Sequence, residues 1–368
     1  MISNRCLETQ QGDIVVLFLD GEYWGVYILT ENYDDHYIAN NYDIEEENVI
    51  IVKNSKMKAG DEKDNNVFEN ALHFLSNEDM SNPSNYKRAN ELLDTEDFAW
   101  YAGFNIYIGN RDSVFKATNW AMWSVRNPVE NVYKADGKWR GLAYDNDLSV
   151  GLFGNENDYN NIHLQDIFNK SLTMSKCIGS RLLTSLIKDP TFKNMFINAL
   201  CDIRNIDFEI NRVYEYLEKT NSIIEPIMKD NFIRFGKSLN NPEEYYKRQM
   251  GTLKTWLISR YDTFVYNIGK FFEFKPPVEV SITSSSFVKG SFIVNNGWKI
   301  FEEEYKGLYF TENILYLSAN PLRGTFDYWK VKNCKLADGN TNEIDFKSEN
   351  INLSIKPLEG CSVTACFR

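Results

Sequence analysis

The chain has 368 residues, a formal net charge of −12, and 43% hydrophobic and 14% aromatic residues. This composition supplies enough apolar material for a large core and about two domains, which excludes a disordered chain. The excess of acidic side chains argues against nucleic acids and anionic membranes as partners and favours basic polypeptides. No apolar run is long enough to predict a transmembrane segment, and Glu8 and Asp13 interrupt the stretch where a signal peptide needs an apolar core.

The sequence gives little indication of a metal or catalytic site built on cysteine or histidine. The six cysteines show no CxxC or Cys/His spacing, and the three histidines are isolated, which argues against a zinc site and against a Ser-His-Asp triad. The cysteines are expected to be buried thiols. As an alternative, in an oxidising compartment, Cys334 could form a disulfide with Cys361 or Cys366.

The N-terminal part of the chain combines strands with capped helices. Residues 1–11 are predicted to be a linker, and Phe18 and Leu19 followed by an Asp-Gly turn and an aromatic strand predict a hairpin. Residues 13–60 are mostly predicted as strands, with a short helix that Asp34 would cap. Further helices are expected over residues 66–75, after the cap sequence 81–84, and from residue 95, where Phe98, Tyr101 and Ala102 would be buried.

The remainder is predicted to be helical first and then β. Residues 154–161 are rich in Gly and Asn and predict a mobile loop that could form a substrate lip. Residues 171–272 are predicted to be helical, and the last helix carries an apolar stripe with Arg260 that is typical of a core face. After Pro276 and Pro277 the composition changes to Val, Ile, Thr and aromatic residues with Gly turns, which predicts short antiparallel strands.

The most informative stretch is residues 139–151, where an apolar run ends in Asp145 and Asp147 and then a glycine. If a strand ends at Tyr144, both carboxylates lie on one face where the backbone leaves the sheet. Hard cations such as Mg²⁺ take oxygen ligands of this kind, although a plain acidic turn has the same signature.

A second polar loop precedes this stretch. Asn110, Asp112 and Asn119 lie between an apolar segment and a second apolar strand that begins at Trp120. Neither GxGxxG nor GxxxxGK[ST] occurs in the chain, so the sequence contains neither an ordinary kinase glycine-rich loop nor a Walker site.

In this order the motifs resemble the spore coat protein H (CotH) kinase family, over roughly residues 13–272. In that family a hairpin of the type NG-x-Y-x-G-x-Y-x-L-x-E precedes an N-x-D loop, an Asn-aromatic strand and a WDxDxxxG segment. The corresponding segments here are Asp20-Gly21 through Glu31, Asn110-Arg111-Asp112, Asn119-Trp120 and Tyr144-Asp145-Asn146-Asp147 through Gly151. Tyr144 stands where the family has Trp.

The resemblance implies an α+β protein with an atypical protein-kinase-like domain over residues 1–274 and a small all-β domain over residues 275–368. Family members carry a longer segment before the hairpin, so the N-terminal lobe is expected to be truncated or abbreviated here, which would weaken nucleotide binding. The implied activity is transfer of the γ-phosphoryl group of ATP, with Mg²⁺ or Mn²⁺, to Ser or Thr hydroxyls of a secreted, spore-coat or cell-surface protein. Phosphoryl transfer depends mainly on positioning and charge, which carboxylates, an amide and a lysine can supply.

Carried over by position, Asp112 would be the catalytic residue that orients the substrate hydroxyl or accepts its proton. Asn119 and Asp145 would bind the metal ion, and Asp147 would be a further metal ligand or would orient the ligands. An alternative role for Asp112 is as a metal ligand itself.

The nucleotide-binding candidates are Lys53, which follows the apolar strand 48–52, and Glu31, which ends the hairpin. Paired with Glu31, Lys53 would face the phosphates, as in ordinary kinases. Lys56 and Lys58 are rivals for this role, and both members of the Lys53–Glu31 pair could instead be solvated surface residues.

The β-rich end resembles divergent internalin-B-type repeat modules of bacterial surface proteins, with Phe326 and Trp329 as core or edge aromatics. This resemblance favours a location outside the cell. The competing function is a surface or interaction protein that keeps the CotH-like fold without catalysis, and a less favoured one is carbohydrate binding through exposed aromatics of the β domain. Convergence of Asp112, Asn119 and Asp145 on one cleft would distinguish the kinase from carbohydrate binding.

Overall fold

The computed structural model of the protein describes residues 6–110, 112–116, 118–152, 160–169, 176–236, 240–295, 297–300, 303–339 and 343–368. Within these residues the strands form a five-stranded sheet, a separate two-stranded hairpin and an eight-stranded sheet, accompanied by α-helices. The predicted α+β class is confirmed. The loop predicted over residues 154–161 lies outside the described residues except at its last two positions.

The first sheet and the hairpin come from the N-terminal part of the chain. Their strands are β1 (Glu8–Thr9), β2 (Gly12–Leu19), β3 (Glu22–Thr30), β4 (Val49–Lys53), β5 (Lys56–Ala59), β6 (Ala121–Val125) and β7 (Arg140–Ala143). β2 pairs with β3 in the hairpin, and the sheet has the order β1-β7-β6-β4-β5, in which only β1 and β7 are parallel neighbours.

Strands β4 and β7 both run antiparallel to β6, which lies between them. The C-terminal ends of β4 and β7 therefore meet the start of β6 at one edge of the sheet. In the register, Lys53 pairs with Ala121, and Ala121 pairs with Leu142 on its other side. The polar residues beside these strand ends are consequently delivered to the same place, here called the acid edge: Lys53, Asn54, Asp112, Asn119 and residues 144–147.

The predicted linker over residues 1–11 is wrong for its described C-terminal half. Leu7 is buried in the core, and Glu8 and Thr9 pair in parallel with Leu142 and Ala143 of β7. The Glu8 carboxylate lies 2.6 Å from the Lys134 ammonium, and both side chains are buried. The error has a simple cause: a two-residue strand has no periodicity, and its partner lies far away in the sequence.

The helices of the first half begin at side-chain caps. They are α1 (Asp35–Tyr42), α2 (Glu62–Asn77), α3 (Pro83–Leu92) and α4 (Thr95–Tyr107). The predicted cap at Asp34 is confirmed, because its side chain accepts the backbone N–H of Tyr37. Helix α2 begins earlier than residue 66, since Asp61 and Asp64 form a capping box.

The helices of the second half are α5 (Leu164–Phe168), α6 (Ile178–Leu186), α7 (Pro190–Asp202), α8 (Ile210–Phe235) and α9 (Pro242–Phe271), with a π-helix over Ile203–Asp207 after α7. The core face predicted for the last helix is confirmed. Its fully buried Arg260 donates to the carbonyls of Ile106 and Tyr107, the latter at 2.7 Å, and so satisfies the end of α4. This contact fixes the point from which the loop carrying Asp112 starts.

The C-terminal region is the eight-stranded sheet. Its strands are β8 (Val278–Ser284), β9 (Gly290–Val294), β10 (Trp298–Ile300), β11 (Glu304–Tyr309), β12 (Leu315–Pro321), β13 (Phe326–Leu336), β14 (Phe346–Ser348) and β15 (Asn352–Phe367). Trp329 is fully buried and therefore a core aromatic. The expectation of buried thiols is wrong for Cys334 and Cys361, which form a disulfide, the first of the two alternatives, while Cys366 is a free thiol.

This sheet packs on α7 through buried polar contacts. Asp202 accepts a hydrogen bond of 2.6 Å from the Tyr309 hydroxyl and two from the Asn295 amide. Asn198 donates to the Ile314 carbonyl at 2.8 Å. Apolar side chains on both sides of this contact belong to one continuous cluster. Among the described residues, no helix is long and apolar enough to span a membrane.

Candidate functional site

Backbone and side-chain contacts between β4 and β6 assemble the acid edge. The Asn54 backbone N–H donates to the Trp120 carbonyl at 3.0 Å, and the Asn54 side chain accepts the Trp120 N–H at 3.1 Å. The Tyr144 hydroxyl donates to the same Asn54 oxygen at 3.4 Å. The Lys53 ammonium lies 4.2 Å from the centre of the Tyr144 ring, so a cation–π contact holds it at this edge.

A chain of amides ties the two acidic loops together. The Asn110 side chain donates to Asn105 of α4 at 3.1 Å and to Asn146 at 3.0 Å. Its oxygen accepts the backbone N–H of Asp112 at 3.0 Å. Since Asn110 and Asn105 are buried, this link is shielded from water, and it sets the distance between the Asp112 loop and the segment carrying Asp145 and Asp147.

The Asp112 carboxylate is held by its own loop. The Thr118 hydroxyl donates to one oxygen, and the Asn119 side chain donates to the other at 3.1 Å. Asn119 has a φ of 53°, a left-handed conformation that asparagine tolerates better than most residues. The structure thus brings together Asp112 and Asn119, the two residues that the sequence places seven positions apart.

The Asp145 carboxylate experiences excess negative charge. Desolvation where the backbone leaves the sheet raises its pKa above the ordinary range, and the charge and a hydrogen bond of Asp147 and the charge of Asp112 add to this, while Lys53 opposes it. The backbone here is left-handed, with a φ of 52° at Asp145. A raised pKa means that the ionised carboxylate is unfavourable in its surroundings, which a bound cation would relieve.

Lys53 and Glu31 are not brought together. No ion pair within 4.0 Å joins these two described residues, and the Glu31 carboxylate instead accepts the backbone N–H of Gln11 at 2.7 Å. Glu31 closes the base of the hairpin in this way. The rivals Lys56 and Lys58 lie on β5 with exposed side chains.

The donor set suits a metal ion that also binds phosphate and water. Within the described part of the chain, no three carboxylate, imidazole or thiol groups converge closely enough to enclose a metal ion. Mg²⁺, however, commonly takes one or two carboxylates and completes its shell with phosphate oxygens and water. The raised pKa of Asp145, with Asp147 and Asp112 beside it, is consistent with such a partial ligand set.

A family profile described as CotH kinase protein matches residues 1–264 of the sequence. The chain belongs to the CotH kinase family. It is therefore a kinase-like protein, and the resemblance drawn from its motifs is confirmed. The CotH match includes every residue of the acid edge, the hairpin and most of α9, whereas the eight-stranded sheet lies beyond it. A comparison with curated proteins found no match. The internalin-like character of the last region stays a prediction.

The sequence patterns did not predict the amides and the hydroxyl that support the acid edge. Asn54, Asn105, Asn146 and Thr118 contact the predicted residues, yet none was assigned a role. For Asn54 a local signal existed, since an Asn-Ser pair after an apolar strand is typical of a turn, and in the structure both residues have positive φ. The other three act through partners that only the fold brings near.

Proposed function

We propose that this protein is an atypical, metal-dependent protein kinase that transfers the γ-phosphoryl group of ATP to a Ser or Thr hydroxyl. The observation that supports this most is the gathering of Asp112, Asn119, Asp145 and Lys53 at one edge of a sheet in a member of the CotH family. These are the residue types that phosphoryl transfer requires, because the protein contributes mainly position and charge.

In the proposed mechanism Asp112 acts on the acceptor. An ionised carboxylate has about four lone-pair sites, and Thr118 and Asn119 occupy one on each oxygen, which leaves room for a substrate hydroxyl. Asp112 orients that hydroxyl and takes its proton as the bond to phosphorus forms, and ADP leaves with the electron pair of the broken bond.

Asp145, Asp147 and the Asn119 amide oxygen are proposed to hold Mg²⁺, or Mn²⁺ in its place. When bound, the ion neutralises the phosphate oxygens and the acid cluster together. Lys53 adds a positive charge on the same side, fixed over the Tyr144 ring. Its position is consistent with a phosphate contact that does not need Glu31.

The second candidate is a CotH-like surface or interaction protein without catalysis. The observation that favours it is the separation of Lys53 from Glu31, whose carboxylate is used at the base of the hairpin. Without Glu31 beside it, the Lys53 ammonium is positioned less firmly toward phosphates than in ordinary kinases.

We also propose a location outside the cell, on a spore coat or cell surface. A further proposal is that residues 1–274 and 275–368 form two domains. The Cys334–Cys361 disulfide supports an oxidising compartment. The net charge of −12 supports a basic protein as substrate.

Calorimetry of ATP binding with Mg²⁺ or Mn²⁺ tests the nucleotide site. We expect saturable, metal-dependent binding by the wild type and a loss of at least about 10-fold in affinity for Asp145→Asn, because one metal ligand loses its charge. Asp262→Asn is a matched control, since Asp262 is an exposed aspartate on α9 that is not among the charges that shift the pKa of Asp145. Equal affinity of the wild type and Asp145→Asn would refute the metal assignment, and no binding by the wild type would favour the non-catalytic candidate.

A further inference from the structure

The hairpin formed by β2 and β3 exposes an unusual amount of apolar surface. Ile28 and Leu29 are 72% and 67% exposed, although both lie within a strand. Five more large apolar side chains of the same hairpin are also exposed: Val16, Phe18, Leu19, Trp24 and Tyr27. Because adjacent strand residues point to opposite faces, these side chains expose both faces of the hairpin, and Ile28 shares one face with Val16 of β2. Single exposed apolar residues are ordinary, but several on one hairpin mark an interaction site.

Helix α8 covers only part of the hairpin. Gly25 has a φ of 121°, and a Cβ atom there would lie 2.6 Å from the Phe235 ring, so the helix packs directly on β3. The Val26 N–H donates to the Asn231 side chain at 3.1 Å, and Arg234 forms an ion pair with Glu22 at 2.9 Å. Contacts of the helix with β2 are fewer.

The outer edge of β2 has no strand partner among the described residues, since β2 pairs with β3 alone. An exposed edge of this type presents a row of backbone N–H and C=O groups that another extended chain can pair with. A two-stranded hairpin is also marginally stable by itself, and a third strand stabilises it.

Charge decides which occupant suits this surface. From Gly12 to Glu31 the sequence contains no Lys, Arg or His. Of its four acids, Glu22 is paired with Arg234 and Glu31 accepts the Gln11 N–H, while Asp13 and Asp20 are exposed to a partner. A second copy of the hairpin or an anionic lipid surface would place like charges together, which disfavours both. A basic polypeptide with alternating apolar residues matches the charge and the apolar surface at once.

The hairpin base lies beside the acid edge. Gln11 precedes β2 and binds Glu31 at the end of β3, while β1, just before Gln11, pairs with β7. The Tyr33 hydroxyl donates to the Ala143 carbonyl at 3.1 Å, two residues before Asp145. A chain bound along β2 therefore has one end close to the end of β7, which leads into Asp145.

We propose that the outer edge of β2 and the hairpin face that carries Val16 and Ile28 form a docking site for a basic, extended polypeptide segment that pairs with β2 as an additional strand. That this segment belongs to the phosphorylated substrate rests on the proposed kinase function. The docking itself rests on the exposure, the free edge and the one-sided charge of the hairpin.

Fluorescence anisotropy with designed peptides tests this docking. The probe is a labelled peptide of alternating Lys and Val, long enough to span β2, with one Ser. One comparison peptide has Glu in place of Lys, and another carries N-methyl groups on the backbone edge that would pair. We expect both comparison peptides to bind about 10-fold or more weakly, and binding of the basic peptide to weaken with salt.

Ile28→Lys places a charge in the docking face, and we expect it to weaken binding of the basic peptide by about 10-fold or more, through lost apolar contact and charge repulsion. Val288→Lys is the matched control, because Val288 is 65% exposed in the C-terminal sheet region. Circular dichroism of both variants checks that they are folded.

Equal binding of the basic and acidic peptides, or wild-type affinity of Ile28→Lys, would overturn the docking site. A concentration-dependent dimer in sedimentation that Ile28→Lys abolishes would also overturn it, since a second copy would then be the occupant. Calorimetry with ATP and Mg²⁺ on the same samples separates the two proposals. Peptide binding without nucleotide binding refutes the kinase and keeps the docking, and the reverse result refutes the docking alone.

Discussion

The surroundings of the carboxylates differ between the acid edge and the C-terminal sheet. In the contact between α7 and the C-terminal sheet, Asp202 lies among neutral donors that satisfy it, with the Tyr309 hydroxyl at 2.6 Å. At the acid edge, Asp145 faces Asp147 and Asp112, and its pKa is raised as a result of desolvation and their charges. The first arrangement stabilises the fold, whereas the second leaves unfavourable negative charge that a bound cation can neutralise.

Left-handed backbone occurs in both regions, but different contacts hold it in each. Asp145 and Asn119 at the acid edge both have left-handed φ values, 52° and 53°. Strained positions of this kind persist where neighbouring contacts hold them, here the amide chain through Asn110 and Asn146. In the C-terminal sheet Asn333 of β13 also has a left-handed φ, 52°, and there a disulfide at the next residue and extensive pairing join β13 to β15.

The largest expected effect comes from removing the carboxylate of Asp112, which should affect the acid edge and not the C-terminal sheet. We expect Asp112→Asn to lower phosphoryl transfer by about 100-fold to 10,000-fold, because the substrate hydroxyl loses its proton acceptor. Binding of ATP and Mg²⁺ and the free energy of unfolding should change little, as Asp112 is only half-buried. Transfer is measured with radiolabelled ATP and a basic Ser-containing protein, with Asp262→Asn as the control. Unchanged transfer in Asp112→Asn would remove Asp112 from the catalytic role.

Removing the disulfide tests the other region. The Cys334–Cys361 link closes a sequence separation of 27 residues, so the Cys334→Ser, Cys361→Ser double variant should lose about 3 kcal/mol of unfolding free energy. Denaturant unfolding measures this loss, and Cys366→Ser, which replaces a free thiol, should show none of it. Nucleotide affinity should stay at the wild-type value. A parallel fall in nucleotide affinity would show that the two regions do not act separately.

The smallest effect concerns pH. Because the folded-state pKa of Asp145 is raised, the folded protein binds a proton there more readily than the unfolded chain does. The repulsion between Asp145 and its acidic neighbours is therefore absent at a pH below the ordinary aspartate range. It lowers the free energy of unfolding as the pH rises through the raised pKa. We expect Asp145→Asn to give a small increase in Tm at neutral pH that disappears in acid, measured by thermal unfolding across pH without metal. An increase that persists unchanged in acid would contradict the charge explanation.

Protonation of Asp145 should also compete with metal binding. Since the pKa is raised, the affinity for Mg²⁺ and ATP should start to fall, on acidification, at a higher pH than an ordinary aspartate would give. Calorimetry across this range measures the midpoint. A midpoint in the ordinary aspartate range would show that Asp145 is not the group that titrates.

Much of the local structure follows from residues that act on their neighbours. The caps at Asp34 and Asn82, the Asp-Gly turn after Leu19 and the apolar stripe with Arg260 are all visible in short windows, and the structure contains each of them. The order of motifs likewise predicted the family. The sequence therefore determined the α+β class, the kinase-like family and the segments that carry acids, because caps, turns and periodicity depend on a few adjacent side chains.

Tertiary structure alone decided which of these segments meet. The parallel pairing of β1 with β7, the amide chain from Asn105 through Asn110 to Asn146, and the use of Glu31 at Gln11 rather than at Lys53 involve residues distant in the sequence. The exposure of the hairpin could not be predicted either, since an apolar strand has the same sequence pattern whether or not another element packs on it. Long-range pairing and burial depend on the whole arrangement of sheets and helices, which no local pattern contains.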